Sequence, residues 1–303
     1  MSYHKPVLLT ECINGLNINP NGIYVDVTFG GGGHSKEIIK HLTNGRLFAF
    51  DQDINVIDNS IDDSKFKLIK ANFRYLKNFL KLEGVNKIDG LLADLGVSSH
   101  QIDTPERGFA YRYDSDLDMR MDSNSSLDAK EVINCYSESD LSNILYQYGD
   151  LNQSRRIAHK IVTSRKKEYI KTSHELIKAL DGLFSEKNRN KFLARIFQAI
   201  RIEVNDEINA LKELLKDVVG LLNNKGRLVI ISYHSLEDRL VKNLMKKGNI
   251  QGVEQKDFFG KVTKDLDPVN KKIITPNSEE FKINSRARSA KLRVAEKNID
   301  NEE

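Results

Sequence analysis

The stretch DVTFGGGGHS, residues 26–35, sets Gly30 to Gly33 directly before a segment with helical spacing, and Asp51 ends the next apolar run. Glycine lets a backbone approach a ligand closely, and a helix N-terminus favours negative charge. A carboxylate about 20 residues beyond such a loop can accept both hydroxyls of a ribose. Together these residues point to a nucleotide-type site. A dinucleotide requires G-x-G-x-x-G, with its third glycine inside the helix. Starting that pattern at Gly30 or Gly31 puts Ser35 or Lys36 at the last position, so the fingerprint fails. S-adenosylmethionine has no pyrophosphate to seat and asks less of the loop, so the sequence favours it over NAD.

A second carboxylate, Asp94, lies in the apolar run IDGLLADLGV (88–97). The carboxyl ends of strands in an open α/β sheet face the ligand crevice. A buried carboxylate is costly without a partner, so Asp94 is expected to act there or to be hydrogen-bonded there. The plainer alternative is a cap or a salt-bridge partner. His234, in YHSLEDR after a later apolar run, falls on the same side and could touch a substrate or cap the strand end. The seven histidines are dispersed without zinc-like spacing, and no metal is expected.

The elements that must position these residues alternate in βα fashion. Strands are expected over 23–28, 46–51, 66–72 and 88–97, the last apolar nearly throughout, as a strand buried on both faces should be. A helix is expected over 35–42, with Ser35 as its N-cap and Ile38, Ile39 and Leu42 on one face. From about 104 to 205 the pattern turns helical, in DAKEVINCY, DLSNILYQYG, SRRIAHKIVTSR and HELIKALDGLF. Val204, Ile208, Leu211, Leu215, Val218 and Leu222 then recur as one long helical stripe. KGRLVIISYHS (225–235) returns to a glycine turn and a buried strand, and weaker strand candidates lie near 271–275 and 289–295. The reading is an α/β, Rossmann-like doubly wound sheet interrupted by an all-helical insertion. Its boundaries fall at 1–103 and 206–303 for the sheet domain and 104–205 for a substrate-recognition insertion.

Composition bounds the rest. With 39% hydrophobic and 30% charged residues, the chain reads as an ordinary globular protein. No apolar run approaches the roughly 20 residues of a membrane span, and the N-terminus lacks a signal-peptide core. Cys12 and Cys135 are too few for a disulfide framework or zinc site and suit a reducing cytoplasm. The net charge of +4 is mild, but seven Lys/Arg against Glu168 lie between Arg155 and Lys171, and SRARSAKLR closes the chain at 285–293. Such patches suit a polyanion; the alternative is a solvated helix face and a charged tail.

Eight blocks go further: HKPVLLTE (4–11), DVTFGGGGHS, DLGVSSHQ (94–101), ERGFAYR (106–112), LDMRMD (117–122), FQAIRIEVN (197–205), SYHSLEDR (232–239) and SRARSAKLR. In this order they resemble the bacterial ribosomal RNA small-subunit methyltransferase H family, also called MraW. The resemblance implies a class I S-adenosylmethionine-dependent methyltransferase fold with an inserted helical domain. It implies methyl transfer to the N4 amine of one cytidine in the decoding region of 16S rRNA. The partner would be that rRNA within the small subunit, in the cytoplasm and away from membranes, with a homodimer left open. Cofactor contacts would fall on Gly32, Gly33, His34, Asp51, Phe73, Asp94 and Gln101; Phe73 by itself reads as core packing. Ser285 stands where the family usually has proline.

For such a reaction Asp94, or the backbone carbonyls of Leu95 and Gly96, could orient the amine. Arg107, Phe109, Tyr111 and Arg112 interleave aromatics with arginines, as an RNA base and its phosphates would require, or else form a packed hinge. Arg286 and Arg288 are further RNA candidates. Rival readings are amino-group methylation of DNA or a small molecule, a non-catalytic RNA-binding assembly factor, and an NAD-dependent oxidoreductase.

Overall fold

The computed structural model describes residues 6–299 apart from 257 and 261–263, so His4 and Lys5 of the first block lie outside the described residues. The chain begins α1 (Leu9–Leu16), β1 (Ile23–Asp26), α2 (Gly33–Lys40), β2 (Arg46–Asp51), β3 (Phe66–Lys70), α3 (Leu76–Leu82) and β4 (Ile88–Asp94). A helical stretch follows: α4 (Ser99–Asp103), α5 (Ala129–Cys135), α6 (Glu138–Gly149), α7 (Ser154–Arg165), α8 (Ser173–Ala179) and α9 (Arg189–Val204). The chain returns with α10 (Glu207–Leu221), β5 (Leu222–Ser232), α11 (Ser235–Lys247), β6 (Leu266–Pro268), α12 (Ser278–Ile283) and β7 (Lys291–Lys297). Contacts divide it into two units, Met1–Gly96 with Ile208–Glu303, and Val97–Glu207. The sequence reading put these boundaries at 104 and 205.

In the first unit the described strands form one sheet in the order β3-β2-β1-β4-β5-β7-β6. The first five are mutually parallel; β7 runs antiparallel to β5 and to β6. This is the α/β doubly wound order expected from the sequence, and it reverses between β1 and β4. Strand period two sends alternate residues to opposite faces. Val25, Phe48, Leu91 and Ile230 join one core with Leu80, Leu215 and Val241 from α3, α10 and α11. Tyr24, Leu47, Leu92 and Ile231 join the other with Cys12 and Ile38 from α1 and α2. Burial on both faces is why these strands are nearly all apolar.

Three local expectations are corrected. Gly32, in left-handed backbone at φ 72°, precedes α2, and no side chain caps it; Ser35 sits inside the first turn and donates to Asp26 instead. The long helical stripe is two helices, because Asn205 ends α9 and Asp206 takes φ 48°. The Asn205 side chain donates to Met119 O at 2.7 Å and Arg201 O at 2.9 Å and accepts from Met121 N–H at 2.6 Å. An amide so committed pulls the backbone out of its helix. In the tail, 271–275 supplies only a bridge between Ile274 and Leu292, and the strand beside β7 is β6. Pro268 can end β6 because an edge strand tolerates a missing N–H.

The second unit is helical, with an isolated bridge between Asp116 and Thr172. α5 to α9 pack around Val132, Leu145, Ile161, Leu176, Leu193 and Ile200. The irregular segment before α5 is pinned by buried Leu117 and Met119 and by an Arg120–Asp118 fork at 2.9 and 2.7 Å. Among the described residues no helix is long and apolar enough to cross a membrane.

Candidate active site

The site is built at the carboxyl ends of β1, β2 and β4, where the strand order reverses. After β1 the chain turns sharply: Gly32 N–H donates to Phe29 O at 2.7 Å, and Gly30 and Gly32 have φ of 51° and 72°. A Cβ on Gly32 would lie 2.8 Å from Phe29 Cζ, and one on Gly33 would lie 2.2 Å from Pro6 Cγ. The protein's own Phe29 and Pro6 therefore exclude side chains here before any ligand does. The turn delivers the chain into α2, whose first-turn N–H groups have no intrahelical partner. His34, 6% exposed, donates its Nε2–H to Val7 O at 3.0 Å; a carbonyl only accepts, so that ring nitrogen carries the hydrogen.

Asp51 braces the loop from β2. Its Oδ2 accepts from Gly30 N–H at 2.8 Å and its Oδ1 from Asp53 N–H at 2.9 Å. Burial nevertheless pushes its carboxyl up to about 6. Each carboxylate oxygen has two lone-pair directions, so Asp51 can brace the loop and still accept a hydroxyl from a ligand.

Asp26, 1% exposed at the end of β1, accepts from Ser35 Oγ at 2.7 Å and from Thr28 N–H at 3.1 Å. Thr28 Oγ1 accepts the Asp94 N–H at 2.6 Å, so this chain of bonds ties β1 to β4 across the reversal. The Asp94 side chain is held in turn by Tyr233, whose hydroxyl donates to Oδ1 at 2.7 Å. Burial raises Asp94 to about 6, with His34 and the Tyr233 hydrogen bond opposing it. Burial also raises Asp26, and burial and Asp94 push the Tyr233 phenol far up. Asp26 adds to the rise of both Asp51 and Asp94, and the three carboxylates form a pocket edge suited to a positively charged ligand.

The structure gathers Gly32, Gly33, His34, Asp51 and Asp94 at this edge. Phe73 starts the turn after β3 and packs, partly buried, against the sheet's core. His234 is the N-cap of α11: its Nδ1 accepts from Glu237 N–H at 3.5 Å, while Nε2 lies 3.1 Å from Glu237 Oε1. Arg288 is exposed and Arg286 partly so, in the short turn after α12. Gln101 belongs to the helical unit, where it is 5% exposed and forms a capping box with Ser98 at 3.0 and 3.2 Å.

The other candidates in the helical unit are largely engaged in it. Arg107 donates to the carbonyls of Arg120 and Met121 at 2.7 and 3.1 Å. Phe109 and Tyr111 pack against the helical core, Tyr111 edge-on to Phe197 at 5.7 Å. Arg112 is exposed, 2.8 Å from Asp103 and over the Tyr113 ring.

Sequence reasoning missed Asp26, Thr28, Ser35 and Tyr233. The cost argument applied to Asp94 would have found Asp26, a carboxylate within the apolar stretch IYVDVT. Nothing local marks Tyr233, since its partner lies 139 residues away.

A family model described as the MraW methylase family matches residues 1–298. The chain is 52% identical over 298 residues to a Flavobacterium johnsoniae protein named Ribosomal RNA small subunit methyltransferase H, with 98% of each chain covered. A Cytophaga hutchinsonii protein of the same name is 54% identical over 297 residues, covering 97% of this chain and 99% of the relative. A Bacteroides thetaiotaomicron protein, again so named, is 50% identical over 298 residues, covering 98% of both.

Proposed function

This chain belongs to the MraW methylase family, and on that premise we propose that it transfers a methyl group from S-adenosylmethionine to the N4 amine of a cytidine in 16S rRNA of the small ribosomal subunit. One observation carries the substrate assignment: identity of about half, end to end, with proteins named for ribosomal RNA small-subunit methylation. The acidic edge of the sheet supports the cofactor. S-adenosylmethionine supplies an electrophilic methyl on a sulfonium and also carries an ammonium, so it is a cation matched to Asp26, Asp51 and Asp94.

In this reading the first-turn N–H groups of α2, at Gly33 and His34, receive the cofactor's carboxylate, and Gly32 keeps the approach open. Asp51 accepts the ribose hydroxyls. Phe73 lies against the adenine, and Gln101 completes the contacts. Asp94 faces the reacting end, with Tyr233 holding Oδ1, so that Oδ2 can accept from the cofactor's ammonium or from the cytosine amine. Arg112, Arg286 and Arg288 are assigned to RNA, and His234 to the substrate side through its place at the start of α11.

Cytosine N4 is a weak nucleophile because its lone pair is shared with the ring. The residues must therefore hold N4 about 3 Å from the methyl carbon and in line with the breaking bond. As the C–N bond forms and the C–S bond breaks, positive charge develops on N4 and one N4 proton becomes acidic. An acceptor aimed at that proton stabilises the charge and receives the proton or passes it to water. The base reaches the site unstacked from its neighbours. Its ribosomal substrate places the protein's work in the cytoplasm.

The test is label transfer from S-adenosylmethionine to small subunits lacking decoding-region modifications, with Asp94→Ala in parallel and the product nucleoside identified by mass spectrometry. N4-methylcytidine is expected from the wild type and not from the variant. No labelled nucleotide, with cofactor binding intact, would overturn the assignment.

A further inference from the structure

α7 presents a charged face that none of the chemistry above employs. Ile157, Ala158 and Ile161 bury one side of the helix in the core of its unit. Arg155, Arg156 and Lys160 are exposed on the helix, and Lys166 and Lys167 are exposed in the turn that continues it. At about 100° per residue, these five cations fall within one arc of about 140°. Among the described residues Arg155, Arg156, Lys166 and Lys167 have no carboxylate partner, and Lys160 donates only to the carbonyl of Asp181, at 3.0 Å. Tyr169, 46% exposed, follows directly.

Helix stability does not account for this arrangement. Cations near a helix C-terminus are favoured by its dipole, which suits Lys166 and Lys167. Arg155 and Arg156 occupy the first turn, where the dipole opposes them and where α7 has no acidic residue. Like charges crowded on one arc also repel one another. A row of cations without ion-pair partners, about 18 Å long at a rise of 1.5 Å per residue and carrying one carboxylate, Glu138 at 3.2 Å from His159, is complementary to a nucleic-acid backbone.

We propose that this face of α7 is the docking surface for the phosphate backbone of the RNA substrate, with Tyr169 available to stack on an unpaired base. The inference rests on the ribosomal RNA reading and assigns the backbone contact to α7. Phosphate contacts release counterions, so their number sets how steeply binding falls with salt.

The experiment compares wild type with Arg155→Gln/Arg156→Gln and Lys166→Gln/Lys167→Gln, measuring KM for small subunits across a KCl series. Lys77→Gln/Lys81→Gln, an exposed pair on α3, is the control. Each α7 variant should raise KM and flatten the plot of log KM against log salt by about one unit per phosphate contact removed. Cofactor affinity, circular dichroism and kcat at saturating subunits should be unchanged, and Arg155→Lys/Arg156→Lys should keep the wild-type slope. An unchanged slope, or an equal change in the α3 control, overturns the proposal. So does a loss confined to assembled subunits with binding to protein-free 16S rRNA intact, which would assign the face to a ribosomal protein. A wild-type protein that methylates no rRNA overturns the functional reading instead, before any variant is compared.

Discussion

The carboxylates that end β1, β2 and β4 make the site's affinity for a cation depend on pH. Asp51 and Asp94 are both pushed up to about 6 by burial. Their folded values lie above the unfolded ones, so their ionisation costs folding free energy. That cost is absent below the unfolded value and complete above about 6. A cationic ligand relieves it only where the carboxylates are ionised. S-adenosylmethionine affinity should therefore be greatest above about 6 and weaken as pH falls through that value, which calorimetric titration between about pH 5 and 8 would read. Tyr233→Phe removes a donor that favours the charged form of Asp94. A hydrogen bond to a charged group is worth about 1.5 kcal/mol or more, so the midpoint should move upward by about one pH unit. A midpoint that stays put would mean that Tyr233 does not govern the ionisation of Asp94.

At the scale of elements, short polar side chains decide where helices begin and end. His234 opens α11 through its ring and through Glu237, whose Oε2 accepts from Tyr233 N–H at 2.9 Å. Tyr233 is thus fixed by the cap of the helix that follows it, and its hydroxyl is aimed at Asp94 as a consequence. Asn205 does the corresponding work between α9 and α10. Asn205→Ala would remove a donor to Met119 O and an acceptor for Met121 N–H, in a segment where these residues are 0% and 7% exposed. The expected loss is about 2–4 kcal/mol, read from urea unfolding followed by circular dichroism. A change of only a few tenths would show that the break is set by the flanking cores and not by this amide.

At the scale of the molecule, the residues proposed for the cofactor are drawn from both compact units. Asp26, Asp51 and Asp94 belong to the sheet unit, whereas Gln101 belongs to the helical one. If Gln101 touches S-adenosylmethionine, ordering by the ligand must reach into the second unit. Ligand at about 100 times its Kd stabilises the bound state by about 2.7 kcal/mol, enough to alter amide exchange. Hydrogen exchange should slow across residues 26–36 and also across 98–103, while the interior of α9 is unaffected. Slowing confined to the sheet unit would remove Gln101 from the contact set.

The βα alternation, the buried strands and the helices of the insertion were legible in the residues alone, because each rests on local periodicity: nearly unbroken apolar runs for β2 and β4, 3.6-residue spacing for α6 and α7. Asp94 was legible for a related reason, since a carboxylate in an apolar run is costly enough to require a cause; the glycine loop and Asp51 were legible from spacing, a tight turn before a helix and a carboxylate about 20 residues beyond it. Family resemblance added Phe73 and Gln101, which composition and spacing did not mark. Only the tertiary structure placed Pro6 against Gly33, joined Ser35 to Asp26 and not to its own helix end, set Tyr233 on Asp94 and divided the long apolar stripe at Asn205. Each of these is a contact between residues chosen by the folded chain. A pattern read along the sequence records how often apolar residues recur, but not which distant polar group a given side chain will meet.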